Sequence, residues 1–114
     1  MRHLNLNELQ QKVDAGTGVT LVEALSAEHY ENGHLPGAIN LPPDEVEKLA
    51  PARLPDRSAE IVVYCANFDC NASEIAAEKL VGLGYTNVAT YPGGKKEWAG
   101  AGLPLESARV TAAA

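Results

Sequence analysis

No stretch of this sequence stays apolar for more than a few residues, and Ile61-Val62-Val63 is typical of the longest runs. A bilayer span needs roughly 20 consecutive apolar residues, so no segment is expected to cross a membrane. The start, Met1-Arg2-His3, leads directly into a polar amphipathic stretch, without the apolar core of a secretory signal. Basic residues are few: 9 Lys and Arg against 15 Asp and Glu leave a net charge of −6, and no basic stripe forms. Such a chain repels phosphate backbones, so nucleic acid is not an expected partner. Cysteine is scarcer still, with only Cys65 and Cys70. A disulfide-stapled small protein carries more, spread along the chain. Two close cysteines point instead to a reducing compartment, taken here as the cytoplasm, and either to thiol chemistry or to none. The histidines His3, His29 and His34 are scattered, which leaves no four-ligand zinc set, so neither metal nor cofactor is expected. No internal repeat and no low-complexity linker appears.

What is present suits one domain. The chain has 114 residues and a mass of 12.0 kDa, with 46% hydrophobic and 21% charged residues, enough for a single core and too little for two. Residues 1–106 read as that domain. Residues 107–114, ending in three alanines, read as a tail that frays. Leu6, Leu9 and Val13 recur at helical spacing over residues 5–15, with an Asn5/Glu8 capping box in front and Gly16 as the stop. Short strands are expected over 19–23 and 38–41, with a brief helix between them that Ser26 caps and Gly33 ends. Pro43 opens another helix, with Val46 and Leu49 as its apolar positions. Residues 51–58, with two prolines, read as a surface connection.

Ile61 to Tyr64 is the strongest strand, and its continuous apolar character suits burial on both faces of a parallel sheet. An irregular stretch from Cys65 to Asn71 follows. A helix is then expected over 73–83, with Ile75, Ala76, Leu80 and Leu83 as its stripe, then a strand over 87–91. Pro92-Gly93-Gly94 turns the chain into a last helix carrying Trp98, expected in the core. Strands alternating with helices predict an α/β domain with a mostly parallel sheet covered on both faces. In such sheets function collects at the carboxyl ends of the strands.

Cys65 stands at that position, after a buried strand and before a helix. Amides of a tight loop converge on an anion, and the helix dipole adds to them; both favour the nucleophilic thiolate. On spacing alone, Cys65 is equally well the last buried residue of its strand.

Glu23, the block Gly33-His34-Leu35-Pro36-Gly37-Ala38-Ile39-Asn40, Val63-Tyr64-Cys65, Ala76-Ala77, Gly84-Tyr85, Gly93-Gly94, Trp98 and Gly102-Leu103-Pro104 follow one another in an order that resembles a rhodanese domain. The resemblance runs from about Asn5 to Glu106. It implies a five-stranded parallel sheet with helices on both faces. It also implies a cysteine, Cys65 by position, that cycles through a persulfide between a sulfane-sulfur donor and a thiophilic acceptor.

Three departures from the family pattern bear on the chemistry. The family loop commonly carries Arg or Lys five residues after the cysteine. Here the loop reads Cys65, Ala66, Asn67, Phe68, Asp69, Cys70, Asn71, Ala72, Ser73, with Cys70 in the cation's place, and it is about two residues longer. A dianion such as thiosulfate then lacks a bidentate partner, and Asp69 worsens this if it points inward. Weak thiosulfate activity is expected, and a low-molecular-weight or protein persulfide suits better. Cys70 is also a possible resolving thiol, able to expel hydrosulfide from a Cys65 persulfide and form a disulfide; its bland alternative is a packed, unreactive thiol. Finally, the family's Asp, followed two residues later by Arg, becomes Glu23 and Leu25, so the acid loses its expected partner.

The remaining residues of interest have structural readings. Lys95 and Lys96 are expected to be solvated, with the alternative that they bring charge to the crevice. His34 is expected to bond backbone, Gly33 and Gly37 to supply unusual backbone angles, and Asn71 (with Glu74) and Ser73 to cap the helix. Asn67 and Phe68 shape the entrance. The leading reading is a sulfurtransferase with Cys65 as persulfide carrier, a small sulfur donor or persulfidated protein on one side and a thiol acceptor on the other. The alternatives are a non-catalytic binding or regulatory module and, from loop length alone, a phosphatase or arsenate reductase.

Overall fold

A computed structural model describes residues 2–16 and 18–107. Five strands, β1 (Arg2–His3), β2 (Thr20–Glu23), β3 (Ile39–Asn40), β4 (Ile61–Tyr64) and β5 (Val88–Tyr91), form one parallel sheet in the order β1-β5-β4-β2-β3. Five α-helices, α1 (Leu6–Ala15), α2 (Ala27–Asn32), α3 (Val46–Arg53), α4 (Ala72–Gly82) and α5 (Gly94–Gly100), connect or follow the strands. The α/β architecture is the one expected. The edge strand β1 carries no periodic signal and was not expected from its own residues. It is added through pairing of Arg2 with Ala89 and His3 with Thr90.

Central β4 divides the core by simple alternation. Ile61 and Val63 face a cluster with Val22, Leu41, Val46, Ala76, Ala77, Leu80 and Tyr85. Val62 and Tyr64 face the opposite cluster with Leu9, Leu35, Ala89, Tyr91 and Trp98. All four β4 residues are fully buried, which accounts for the continuous apolar run.

The local signals hold at several ends. Asn5 and Glu8 form the capping box of α1, and Gly16 closes that helix at φ 63°. Ser26 accepts from the His29 amide and caps α2. Others differ. Helix α3 runs through Pro51 to Arg53, where a surface connection was expected. The Tyr85 hydroxyl donates to the carbonyls of Ala50 and Leu54, on either side of the proline, and holds that turn in place. Ile75 is exposed and does not belong to the α4 stripe, which is Ser73, Ala76, Ala77 and Leu80. Of the expected tail, Ser107 donates through its hydroxyl to the Glu31 carbonyl at 2.9 Å, and residues 108–114 lie outside the described residues.

Candidate active site

The chain leaves the sheet at Cys65 and is caught at once by α5. The Lys95 amide donates to the Cys65 carbonyl at 3.0 Å and the Lys96 amide to the Ala66 carbonyl at 2.9 Å. This approach requires glycine at position 94. Gly94 has φ 64°, and a Cβ there would overlap the Cys65 carbonyl oxygen and lie 2.8 Å from the Ala66 carbonyl carbon.

Beyond Ala66 the loop is wound by Asn67. Its side-chain oxygen accepts from the Asp69 amide at 3.0 Å, and its carbonyl accepts from the Cys70 amide at 3.2 Å. Phe68 stands at the tip, 68% exposed, and Asp69 is exposed as well. Asn71 occupies the N-cap position of α4 without the expected capping box. Its backbone, at φ −99° and ψ 5°, is not extended, and its side chain makes no cap hydrogen bond. Ser73 is not a cap either. It lies within α4, buried, with its hydroxyl against the cysteine.

Cys65 is 1% exposed. Its thiol donates to the Cys70 carbonyl at 3.2 Å and contacts the Ser73 hydroxyl oxygen at 3.6 Å. Burial, then the hydrogen bond to the Cys70 side chain, pushes the Cys65 thiol above the ordinary cysteine range. The amide and hydroxyl of Ser73 hold it partly down. Cys70 is the reverse case. Partial burial pulls its thiol up, but the hydrogen bond from Cys65 and the backbone amides of Ala72 and Ala66 outweigh it, and the net direction is down. The converging amides expected around Cys65 are therefore divided. Ser73 serves Cys65, and Ala66 and Ala72 serve Cys70.

A cavity of about 160 Å³ opens beside the pair. Phe68, Asp69, Cys70, Ser73, Thr90 and Pro92 are among its walls; Cys65 is not. Lys96, exposed, lines a neighbouring cavity with Asn67, Phe68, Asp69, Gly93 and Glu97.

Lys95 is not solvated. Its Nζ lies 3.0 Å from the Glu23 carboxylate and donates also to the carbonyls of His29 (3.0 Å) and Gly33 (2.8 Å). Glu23, fully buried, accepts a second hydrogen bond from the Tyr64 hydroxyl at 2.8 Å, and that hydroxyl accepts from the Leu35 amide. The acid at the end of β2 thus has a cationic partner after all, supplied by α5, and Lys95 directs its charge into this network. The sequence signal for it was only a lysine after a Gly-Gly turn. His34 bonds backbone as expected, through Nδ1 to the Tyr30 carbonyl at 2.8 Å, and stacks on the Tyr30 ring. Gly37, at φ 77°, takes the unusual angle, whereas Gly33 is extended backbone that other residues adopt. Trp98 lies in the core, its Nε1 donating to the Pro104 carbonyl.

A family model described as "Rhodanese-like domain" matches residues 5–101. A putative sulfur carrier protein YrkF of Bacillus subtilis is 30% identical over 97 residues, 85% of this chain and 50% of that protein. The thiosulfate:glutathione sulfurtransferase of Saccharomyces cerevisiae is 30% identical over 92 residues, 70% of this chain and 64% of that protein. Among solved structures, a thiosulfate sulfurtransferase from Pseudomonas aeruginosa superposes with a TM-score of 0.82 at 27% identity, covering 94% of this chain and 20% of that one. The chain thus spans about half of the carrier's length and a fifth of that solved chain's.

Proposed function

The chain belongs to the rhodanese-like domain family, and from that premise we propose that it is a sulfurtransferase in which Cys65 holds sulfane sulfur as a persulfide. The observation that supports this reading is the position of Cys65. It sits at the carboxyl end of the central buried strand, against Ser73 and a loop cysteine, one contact away from an open cavity. The chemistry is nucleophilic. A cysteine thiolate attacks the sulfane sulfur of a donor, the donor's S–S bond breaks, and the remaining thiolate departs. An acceptor thiol later attacks the outer sulfur and releases the cysteine.

The site's shape and charge favour a particular donor. A cavity of about 160 Å³ admits the end of a small molecule and not a bulky one. Cys70 occupies the loop position of a cation, and the Lys95 charge is committed to Glu23. A singly charged persulfide fits such a site better than dianionic thiosulfate. Thiols that must stay reduced to accept sulfur suit a reducing compartment such as the cytoplasm. The relative named as a sulfur carrier supports a protein persulfide or an acceptor thiol as partner.

The burial of Cys65 favours a second reading, a binding or regulatory module without turnover. One experiment separates the two. The protein is incubated with glutathione persulfide or thiosulfate, the donor is removed, and the cysteine peptides are mapped by mass spectrometry. A retained adduct of one sulfur atom on Cys65, stronger from the persulfide and absent in Cys65→Ser, is expected. No retained adduct with either donor favours the module.

A further inference from the structure

The carrier reading leaves a steric question, because the cysteine that holds the sulfur is not the one a donor meets. Cys65 is 1% exposed and forms no part of the cavity wall, whereas Cys70 is half-buried and lines it. The two are in direct contact: the Cys65 thiol donates to the Cys70 carbonyl at 3.2 Å. Cys70 is thus the cysteine on the cavity side of the pair.

We propose that Cys70 is the port of this site: it takes sulfane sulfur from the donor in the cavity and hands it inward to Cys65, which stores it. The proposal rests on the carrier reading above. It replaces the order expected from sequence, in which Cys65 is loaded directly and Cys70 resolves it.

Two exchanges make up the relay. In the first, the Cys70 thiolate attacks the outer sulfur of a persulfide, RS–SH. A Cys70 S–S bond forms, the donor's S–S bond breaks, and RS⁻ leaves, giving Cys70–S–SH. In the second, the Cys65 sulfur attacks that same outer sulfur. Its proton passes to the departing Cys70 sulfur, leaving Cys65–S–SH and Cys70–SH. Each step breaks one S–S bond and makes one, so no oxidant or reductant is consumed. Reversal returns sulfur to the cavity for an acceptor thiol.

The electrostatics of the pair agree with this division. The thiol at the cavity is the one biased toward thiolate, and the inner thiol is biased toward retaining its proton. A persulfide stored on Cys65 is shielded from stray thiols by burial, which a persulfide left on Cys70 is not.

The test is a rapid-quench time course with glutathione persulfide, mapping each cysteine by mass spectrometry. In the wild type, the added sulfur should appear on Cys70 before Cys65. Cys65→Ser should still load Cys70 and lose the sulfur when donor is removed. Cys70→Ser should load Cys65 slower by on the order of tenfold or more. Thermal melts of both variants establish that they are folded, and the wild-type order of labelling does not depend on either. Loading of Cys65 in Cys70→Ser at the wild-type rate overturns the relay while leaving the carrier intact. A Cys65–Cys70 disulfide with released hydrosulfide, in place of a Cys65 persulfide, overturns it in favour of a resolving thiol. A wild type that takes up no sulfur on either cysteine instead overturns the carrier reading itself.

Discussion

The carboxylate of Glu23, fully buried at the end of β2, meets the ammonium of Lys95 at 3.0 Å, 72 residues further along the chain. This contact joins three parts of the site. Glu23 ends the strand beside β4, and Lys95 also binds the carbonyls of His29, ahead of the Gly-His-Leu-Pro-Gly block, and of Gly33, its first residue. The backbone amide of the same lysine holds the Cys65 carbonyl. One residue therefore ties the cysteine loop, the first half of the chain and the start of α5 together.

Removing the ammonium alone strands a buried carboxylate. Lys95→Met is expected to destabilise the fold by about 3–5 kcal/mol, the usual cost of breaking a buried pair from one side. Urea denaturation of Lys95→Met, Glu23→Gln and the double variant measures it. The double variant should lose less than the sum of the two singles. A loss under about 1 kcal/mol for Lys95→Met, typical of a surface pair, would contradict the buried-network description.

Gly94→Ala should damage the loop more than the fold. The left-handed φ costs a non-glycine residue roughly 1–2 kcal/mol. The new Cβ must also displace the carbonyls of Cys65 and Ala66. A displacement of the loop near 1 Å corresponds to about a 100-fold fall in the rate of sulfur loading. Loading rates on protein that still melts cooperatively provide the check. Wild-type loading in this variant would show that the α5 clasp does not position the cysteine.

The two thiols should titrate on opposite sides of an ordinary cysteine. Only the thiolate is alkylated, so Cys70, with its lowered pKa, should react with iodoacetamide at lower pH than a model thiol. Cys65, with its raised pKa, should react only at higher pH. Pulse alkylation from about pH 6 to 10, read by peptide mass, gives both profiles. Cys65 labelled ahead of Cys70 near neutral pH would reverse the assignment.

Ser73→Ala should move Cys65 and spare Cys70. Loss of the hydroxyl removes one of the two Ser73 groups that hold the Cys65 thiol down, so its alkylation profile should shift further to alkaline pH. The Cys70 profile should stay in place, since Ser73 is not among its partners. A cap role alone would alter helix stability and leave the Cys65 profile unchanged.

The alternation of strands and helices, the buried β4 and the α1 capping box were legible in the sequence. These depend on periodicity and on contacts three or four residues apart, so they are written locally. The sequence also singled out Cys65 and Cys70 as candidates, because strand–cysteine–loop–helix is a local pattern. The remaining features depend on contacts between distant parts of the chain. Strand β1 is two residues with no period of its own and exists only through pairing with β5. Lys95 reads as a surface lysine until the sheet brings it onto Glu23. Ser73 and Asn71 look like caps from their spacing, yet the backbone angles at Asn71 and the burial of Ser73 against Cys65 assign them otherwise. Most consequentially, the depth of each thiol depends on how the loop folds back over the end of β4. Five residues of separation say nothing about which sulfur faces the cavity. The clasp from α5, about thirty residues downstream, helps to set that geometry, because a loop's path is determined by the carbonyls held from outside it as much as by its own residues.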